Sequence, residues 1–92
     1  MKFEGKEVRI ALGTVLKGIR AYRGLTKDKA AEIYGLSVSS LVNWEKGSVS
    51  LSMDNFFRLC NAFQVKPSKM VSLIEFELQR RKDVDSKTNE DA

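Results

Sequence analysis

No histidine occurs anywhere in this chain of 92 residues, and cysteine and proline occur once each. Without histidine, the commonest general base and the commonest metal ligand are missing. A single cysteine closes no internal disulfide and suits a reducing compartment. There is no CxxC spacing, phosphate-binding glycine loop or nucleophile elbow. Glu75 and Glu77 lie about 200° apart around a helix and cannot converge on one substrate. These absences argue against an enzyme, and no metal or cofactor is expected. An 18-residue apolar run and a signal-peptide pattern are also missing, so the expected setting is cytoplasmic, with no membrane partner. Repeats and strand-like alternation are absent too, which leaves an all-α domain.

What is present is charge, unevenly placed. The net charge is +4. Residues 1–82 hold 15 Lys and Arg against 8 Asp and Glu, whereas 83–92 hold one against four. A basic body of +7 with an acidic end of −3 fits a domain that draws in phosphates. The division expected is an N-terminal arm over 1–5, a domain over 6–82 and a disordered acidic tail over 83–92.

Apolar spacing then divides the body into helices. Val8, Leu12, Val15, Leu16 and Ile19 predict a first helix from about Lys6 to Arg23, stopped by Gly24. Gly13 and Gly18 weaken it by about 1 kcal/mol each and are expected to permit close packing against a neighbour. Ser52 is a plausible cap for a fourth helix, Met53 to about Phe63, with Met53, Phe56, Phe57, Cys60 and Phe63 as its apolar side. Cys60 is read as core packing rather than redox chemistry. Pro67 sits where a helix best tolerates proline and opens a fifth helix to about Arg81. Its apolar residues occupy more than one face, so Leu73, Phe76 and Leu78 are the expected dimer surface. The run Arg80-Arg81-Lys82 is explained by placement at that helix's C-terminal end.

Between these elements lies the stretch that organises the chain, Thr26 to Gly47. Thr26 can cap a helix over Lys27–Tyr34, Gly35 supplies a left-handed turn, and Ser37 can cap a second helix ending before Gly47. Two short helices around a glycine turn form the helix-turn-helix pattern. On the second helix Leu41 and Trp44 share an inward face with Ser37 behind them. Val38, Ser39, Val42, Asn43 and Lys46 fall on the other side. That stripe of small polar, small apolar, amide and cationic groups suits a DNA major groove.

These residues resemble the Cro/phage-repressor-type helix-turn-helix domains, the XRE family, over about residues 8 to 75. The resemblance rests on Leu12, Leu16, Ile19 and Arg20, then Gly24-Leu25-Thr26, Ala31, Gly35 and Leu41. It continues through Trp44-Glu45-Lys46-Gly47 and closes with Phe56, Ala62-Phe63 and Val65. It implies a five-helix bundle with the helix-turn-helix at helices 2 and 3, an extended helix 5, and helix 3 in the major groove. It also implies a bridge between Arg20 and Glu45, which their positions on apolar seams suggest independently. The sequence departs from the pattern at Lys27, where glutamine is usual, and at Ala30, whose missing volume falls to Trp44 or Tyr34. Val38 and Ser39 stand where glutamines are frequent, so specificity should differ from that of the glutamine readers.

The expected base readers are Val38, Ser39, Val42 and Asn43; the Asn43 amide can pair with adenine, or else simply solvates the helix surface. Arg23, Lys27, Lys46, Ser48, Ser50 and Asn55 are the expected phosphate contacts. The reading is a homodimeric, sequence-specific regulator of transcription, most simply a repressor on a palindromic operator. Small members of the family include phage and plasmid repressors, restriction–modification controllers and antitoxins. The alternative is therefore a protein-interaction module whose helix 5 and acidic tail bind a partner such as a toxin; polymerase is a further possible partner.

Overall fold

The computed structural model describes residues 4–90, with side chains described through residue 84. Five helices follow one another: α1 (Gly5–Tyr22), α2 (Lys27–Tyr34), α3 (Val38–Lys46), α4 (Met53–Phe63) and α5 (Pro67–Glu90). Three of them start on a hydroxyl. Thr26, Ser37 and Ser52 each accept a hydrogen bond from the backbone N–H three residues on, at 3.1, 3.0 and 3.1 Å. Each bond satisfies a donor that the first turn would otherwise leave open. Gly35 and Gly47 end α2 and α3 in the left-handed conformation, with φ of 69° and 71°. Gln64 adopts it without being glycine, at φ 55°.

α1 is the spine of the bundle, packing against α3 on one side and α5 on the other, while α2 packs on α3 and α4 on α5. The core gathers Leu12, Leu16, Leu41, Leu59, Cys60, Phe63, Met70, Ile74 and Leu78 around Ala11, Ala30 and Ala31. Tyr34 and Trp44 both pack against this core, the Tyr34 ring 4.2 Å from that of Phe63. Burial in this apolar setting pushes the Cys60 thiol pKa up, keeping it in the unreactive protonated form.

Four sequence expectations change. Met53 and Phe57 are exposed, and the buried side of α4 is Leu59, Cys60 and Phe63 instead. These three recur at helical spacing and meet α5, whereas Met53 lies at the open first turn. Gly13 is a close-packing glycine, but Gly18 is not: a Cβ there would meet nothing within 4 Å. Leu78 is 5% exposed and belongs to the protomer's own core, so it is not part of a dimer surface. Helix 5 continues to Glu90, beyond Arg81 and through most of the segment read as a disordered tail; residues 91–92 lie outside the described residues. Once α5 is anchored by its packed first half, each further residue adds a backbone bond without a new nucleation step, and Gln79 bonds Asp83 at 3.2 Å.

Candidate nucleic-acid interface

α3 is fixed from behind by an ion pair. Arg20 on α1 meets Glu45 on α3 through two parallel bonds, Nε to Oε2 at 2.7 Å and Nη2 to Oε1 at 3.1 Å. A third donor, Nη1, reaches the Leu25 carbonyl at 2.8 Å, so the same guanidinium holds the segment leading into α2. The side chains are 12% and 4% exposed, and the bond to Glu45 holds the Arg20 pKa above its ordinary value despite the opposing effect of burial. Leu41 is fully buried and Trp44 packs against the core beside it.

The other element holding α3 is a near-contact of backbones. A Cβ on Gly13 would collide with the Glu45 carbonyl oxygen and lie 2.8 Å from that of Trp44. Gly47, which is buried, passes equally close to α1: a Cβ there would lie 2.8 Å from Ile10 Cα and 2.9 Å from the Arg9 carbonyl oxygen. Here a side chain is excluded both by space and by a positive φ.

With its inner side committed, α3 leaves Val38 and Ser39 exposed and Val42 and Asn43 half-buried. Lys46 is exposed at the last turn. Among the described residues only the backbone carbonyl of Asn43 is engaged beyond the helix, by Ser48, and its side-chain amide makes no hydrogen bond, which leaves it able to pair outward. Lys27 opens α2 and Asn55 lies in the first turn of α4, both exposed.

The hydroxyl groups read as phosphate contacts differ from one another. Ser48 donates its proton to the Asn43 carbonyl at 3.1 Å and thereby helps close the end of α3. Ser50 instead accepts a bond from Arg9 Nη1 at 3.4 Å, which leaves its own proton free. Arg23 is tethered: Nη1 donates to the Tyr34 hydroxyl at 2.9 Å, with the guanidinium carbon 5.9 Å from the ring centre. Sequence reasoning passed over Arg9, although the lack of any charge in residues 47–52 is a signal that a cation from elsewhere could serve that loop.

The model of the helix-turn-helix family matches residues 16–70, well over half of the chain. The chain belongs to the XRE-type helix-turn-helix family. It is accordingly a DNA-binding regulator of transcription with an all-α fold. Among solved structures it is similar to the clp gene regulator ClgR of Corynebacterium glutamicum, with 22% identity and a TM-score of 0.77 over 89% of this chain and 87% of that one. A second ClgR structure gives 25% identity and a TM-score of 0.67, over 77% and 91% of the two chains. The restriction-modification controller protein C.AhdI of Aeromonas hydrophila is 26% identical, with a TM-score of 0.57 over 66% and 92%. At 22% identity the first likeness speaks for the fold alone. No curated protein matches the chain significantly. No helix of the described residues is long and apolar enough to cross a membrane.

For this helix-turn-helix protein the expected dimer residues fall into different settings. Phe76 is 71% exposed on α5, Leu73 is half-buried and Leu78 is buried; Tyr22 at the end of α1, which sequence reasoning did not single out, is 94% exposed. Leu73, Phe76, Gly18, Ile19 and Tyr22 line a cavity of about 440 Å³ between α1 and α5.

Proposed function

We propose that this protein binds duplex DNA as a homodimer, inserts α3 into the major groove of each half-site, and represses transcription by occupying a palindromic operator. The observation that carries the reading is the division of α3. Its inner side is pinned by Leu41, Trp44 and the Arg20–Glu45 pair, and its outer stripe of Val38, Ser39, Val42 and Asn43 is free of intramolecular side-chain bonds. A rigid helix with unspent donors and small apolar groups is what base-edge recognition requires. Lys27, Arg23, Lys46, Ser50 and Asn55 flank it as phosphate contacts that set register. Ser48, also in that expected set, has both its hydroxyl and its backbone N–H donated to the Asn43 carbonyl, so a phosphate contact there would need one of these bonds to be released.

The apolar groove between α1 and α5 supports the dimeric reading. Tyr22 and Phe76 are large and exposed at this groove, and a second copy of the same face would cover them. Helix-turn-helix dimers set their recognition helices about 34 Å apart, one turn of DNA. Two similar solved structures are those of a clp gene regulator and a restriction-modification controller, in keeping with promoter control.

The test is selection from a random duplex pool at physiological salt, with sequencing of the bound DNA and molecular-mass measurement of the complex. A two-fold repeated motif bound by two protomers is expected. Binding without sequence enrichment would reduce the claim to phosphate attraction. Co-purification of an unrelated protein on the α1/α5 face would favour the interaction-module alternative.

A further inference from the structure

The segment joining α3 to α4 reads Gly-Ser-Val-Ser-Leu-Ser over residues 47–52 and carries no charge. It follows the recognition helix directly, where the phosphate backbone would pass in the proposed complex. One cation is nonetheless attached to it. Arg9, from the first half of α1, places Nε 3.4 Å from the Gly47 carbonyl and Nη1 3.4 Å from Ser50 Oγ. Both bonds are long and both acceptors are neutral.

Three of the other five arginines are held by carboxylates, Arg23 donates to the Tyr34 hydroxyl, and Arg58, like Arg9, has no ion pair among the described residues. Arg20 meets Glu45, and Arg80 and Arg81 both meet Glu77. Arg9 has no carboxylate partner among the described residues, and Asp54, the acid next to the loop in sequence, forms no ion pair with it. Of the five guanidinium N–H groups only two are occupied, so three remain for an anion. Ser50, having accepted from Arg9, is turned so that its own proton can be donated away from Arg9. Gly5 is small where the Arg9 head group rests; a Cβ there would lie 3.3 Å from Nη1.

We infer that Arg9 is a phosphate-contacting residue of the DNA interface that also positions the α3–α4 loop. From a helix outside the helix-turn-helix, it supplies the positive charge which that loop lacks. The inference rests on the DNA-binding reading above. One guanidinium would hold the Gly47 carbonyl, orient Ser50 and face a phosphate oxygen, so that arginine and hydroxyl grip adjacent oxygens. Such a contact carries no base identity and strengthens binding to all sequences alike.

The test compares the parent protein with Arg9→Gln, Arg9→Lys and Ser50→Ala. Binding is measured to a duplex carrying the selected operator and to a scrambled duplex of equal length, over a range of salt concentrations. Arg9→Gln is expected to lower the slope of log affinity against log salt by about 0.9 per protomer, equally on both duplexes. Arg9→Lys should keep the parent slope, since the charge survives, yet bind more weakly because an ammonium cannot hold the loop and the phosphate in one plane. Ser50→Ala should weaken binding with no change in slope. A merely structural Arg9 would give a lowered melting temperature, an unchanged slope and no rescue by lysine, and that result overturns the inference. Parent protein that fails to bind duplex DNA at all would instead overturn the functional reading, and this one with it.

Discussion

Arg81 on α5 donates through Nη2 to Thr14 Oγ1 on α1 at 3.0 Å, and Thr14 in turn donates to the Ile10 carbonyl at 3.1 Å. The same arginine meets Glu77 at 3.1 Å, and Arg80 meets Glu77 through two bonds of 3.0 and 2.7 Å. Sequence reasoning accounts for this arginine run by the C-terminal end of helix 5. Because that helix continues to Glu90, the end is elsewhere, and a carboxylate within the run's reach replaces the dipole as the cause. Glu77 is nearly buried and holds both arginines within α5, and through Arg81 and Thr14 this cluster clamps α5 to α1 at the edge of the apolar groove.

The clamp sets an acid limit on stability. The bond from Arg80, followed by the nearby charges, holds the Glu77 carboxyl below the ordinary carboxylate range against the opposing effect of burial. A depressed folded-state pKa contributes stability that is fully present above the unfolded value, about 4.3, and is lost as pH falls through the lower folded value. Glu77→Gln should therefore lower the melting temperature at neutral pH, by the equivalent of about 1 kcal/mol given how exposed Arg80 is. It should also flatten the decline in stability expected of the parent as pH falls below about 4.3. Parallel melting curves for parent and variant across that range would rule out the clamp as a stabilising element.

Removing Arg20 should do more damage. Arg20→Ala leaves the Glu45 carboxylate, 4% exposed, without its cation, at a cost of about 3–5 kcal/mol. Replacing both residues by methionine should recover much of that loss, because the pair then leaves no stranded charge. Denaturant titration of the three proteins measures both effects; a single-variant loss below about 1 kcal/mol would mean that α3 is anchored by other contacts.

Two glycines of one helix should respond in opposite directions. Gly13→Ala forces α1 and α3 apart, since the collision is with main chain rather than a pliable side chain, and should cost about 2–3 kcal/mol. Gly18→Ala meets open space and should stabilise the monomer by about 0.5–1 kcal/mol. Thermal unfolding at low protein concentration separates the two.

The difference between these glycines marks what the sequence made legible. Spacing placed the helix starts at Thr26, Ser37 and Ser52 and the turns at Gly35 and Gly47, because capping and left-handed geometry are local and depend on few residues. The Arg20–Glu45 bridge was legible because two charges on apolar seams need one another. Gly13 and Gly18 look alike in sequence, and only the direction of the neighbouring helix distinguishes them. Leu78 was misplaced for the same reason: periodicity finds an apolar stripe without saying which partner covers it. Arg9 reaches Ser50 across 41 positions, and no local pattern encodes that.

At the reading stripe, Asn43→Ala should relax base preference at one position per half-site and leave the fold intact. Lys27→Ala should weaken binding to all sequences and reduce the salt slope by about one phosphate contact per protomer. Sequencing of selected DNA tests the first and titration across salt tests the second. An unchanged preference profile would remove Asn43 from the readout set, and a parental slope would remove Lys27 from the phosphate set.

Phe76→Glu places a charge in the middle of the α1/α5 groove, where a second copy would bury it. The variant should remain folded, because Phe76 is 71% exposed, yet sediment as a monomer and bind a two-half-site duplex at least tenfold more weakly. A variant that dimerises like the parent would place the interface on another face.

The close passage of α1 over α3 at Gly13 and Gly47 has a consequence for how such a protein changes over generations. The angle at which α3 is presented is set by main-chain contact and by one buried ion pair, none of which lies on the outer stripe. Val38, Ser39, Val42 and Asn43 can therefore be exchanged with little effect on the mounting. A new operator could be acquired by altering a handful of codons, with the cost in folding kept small, and two copies of the gene could drift to different targets while keeping one scaffold.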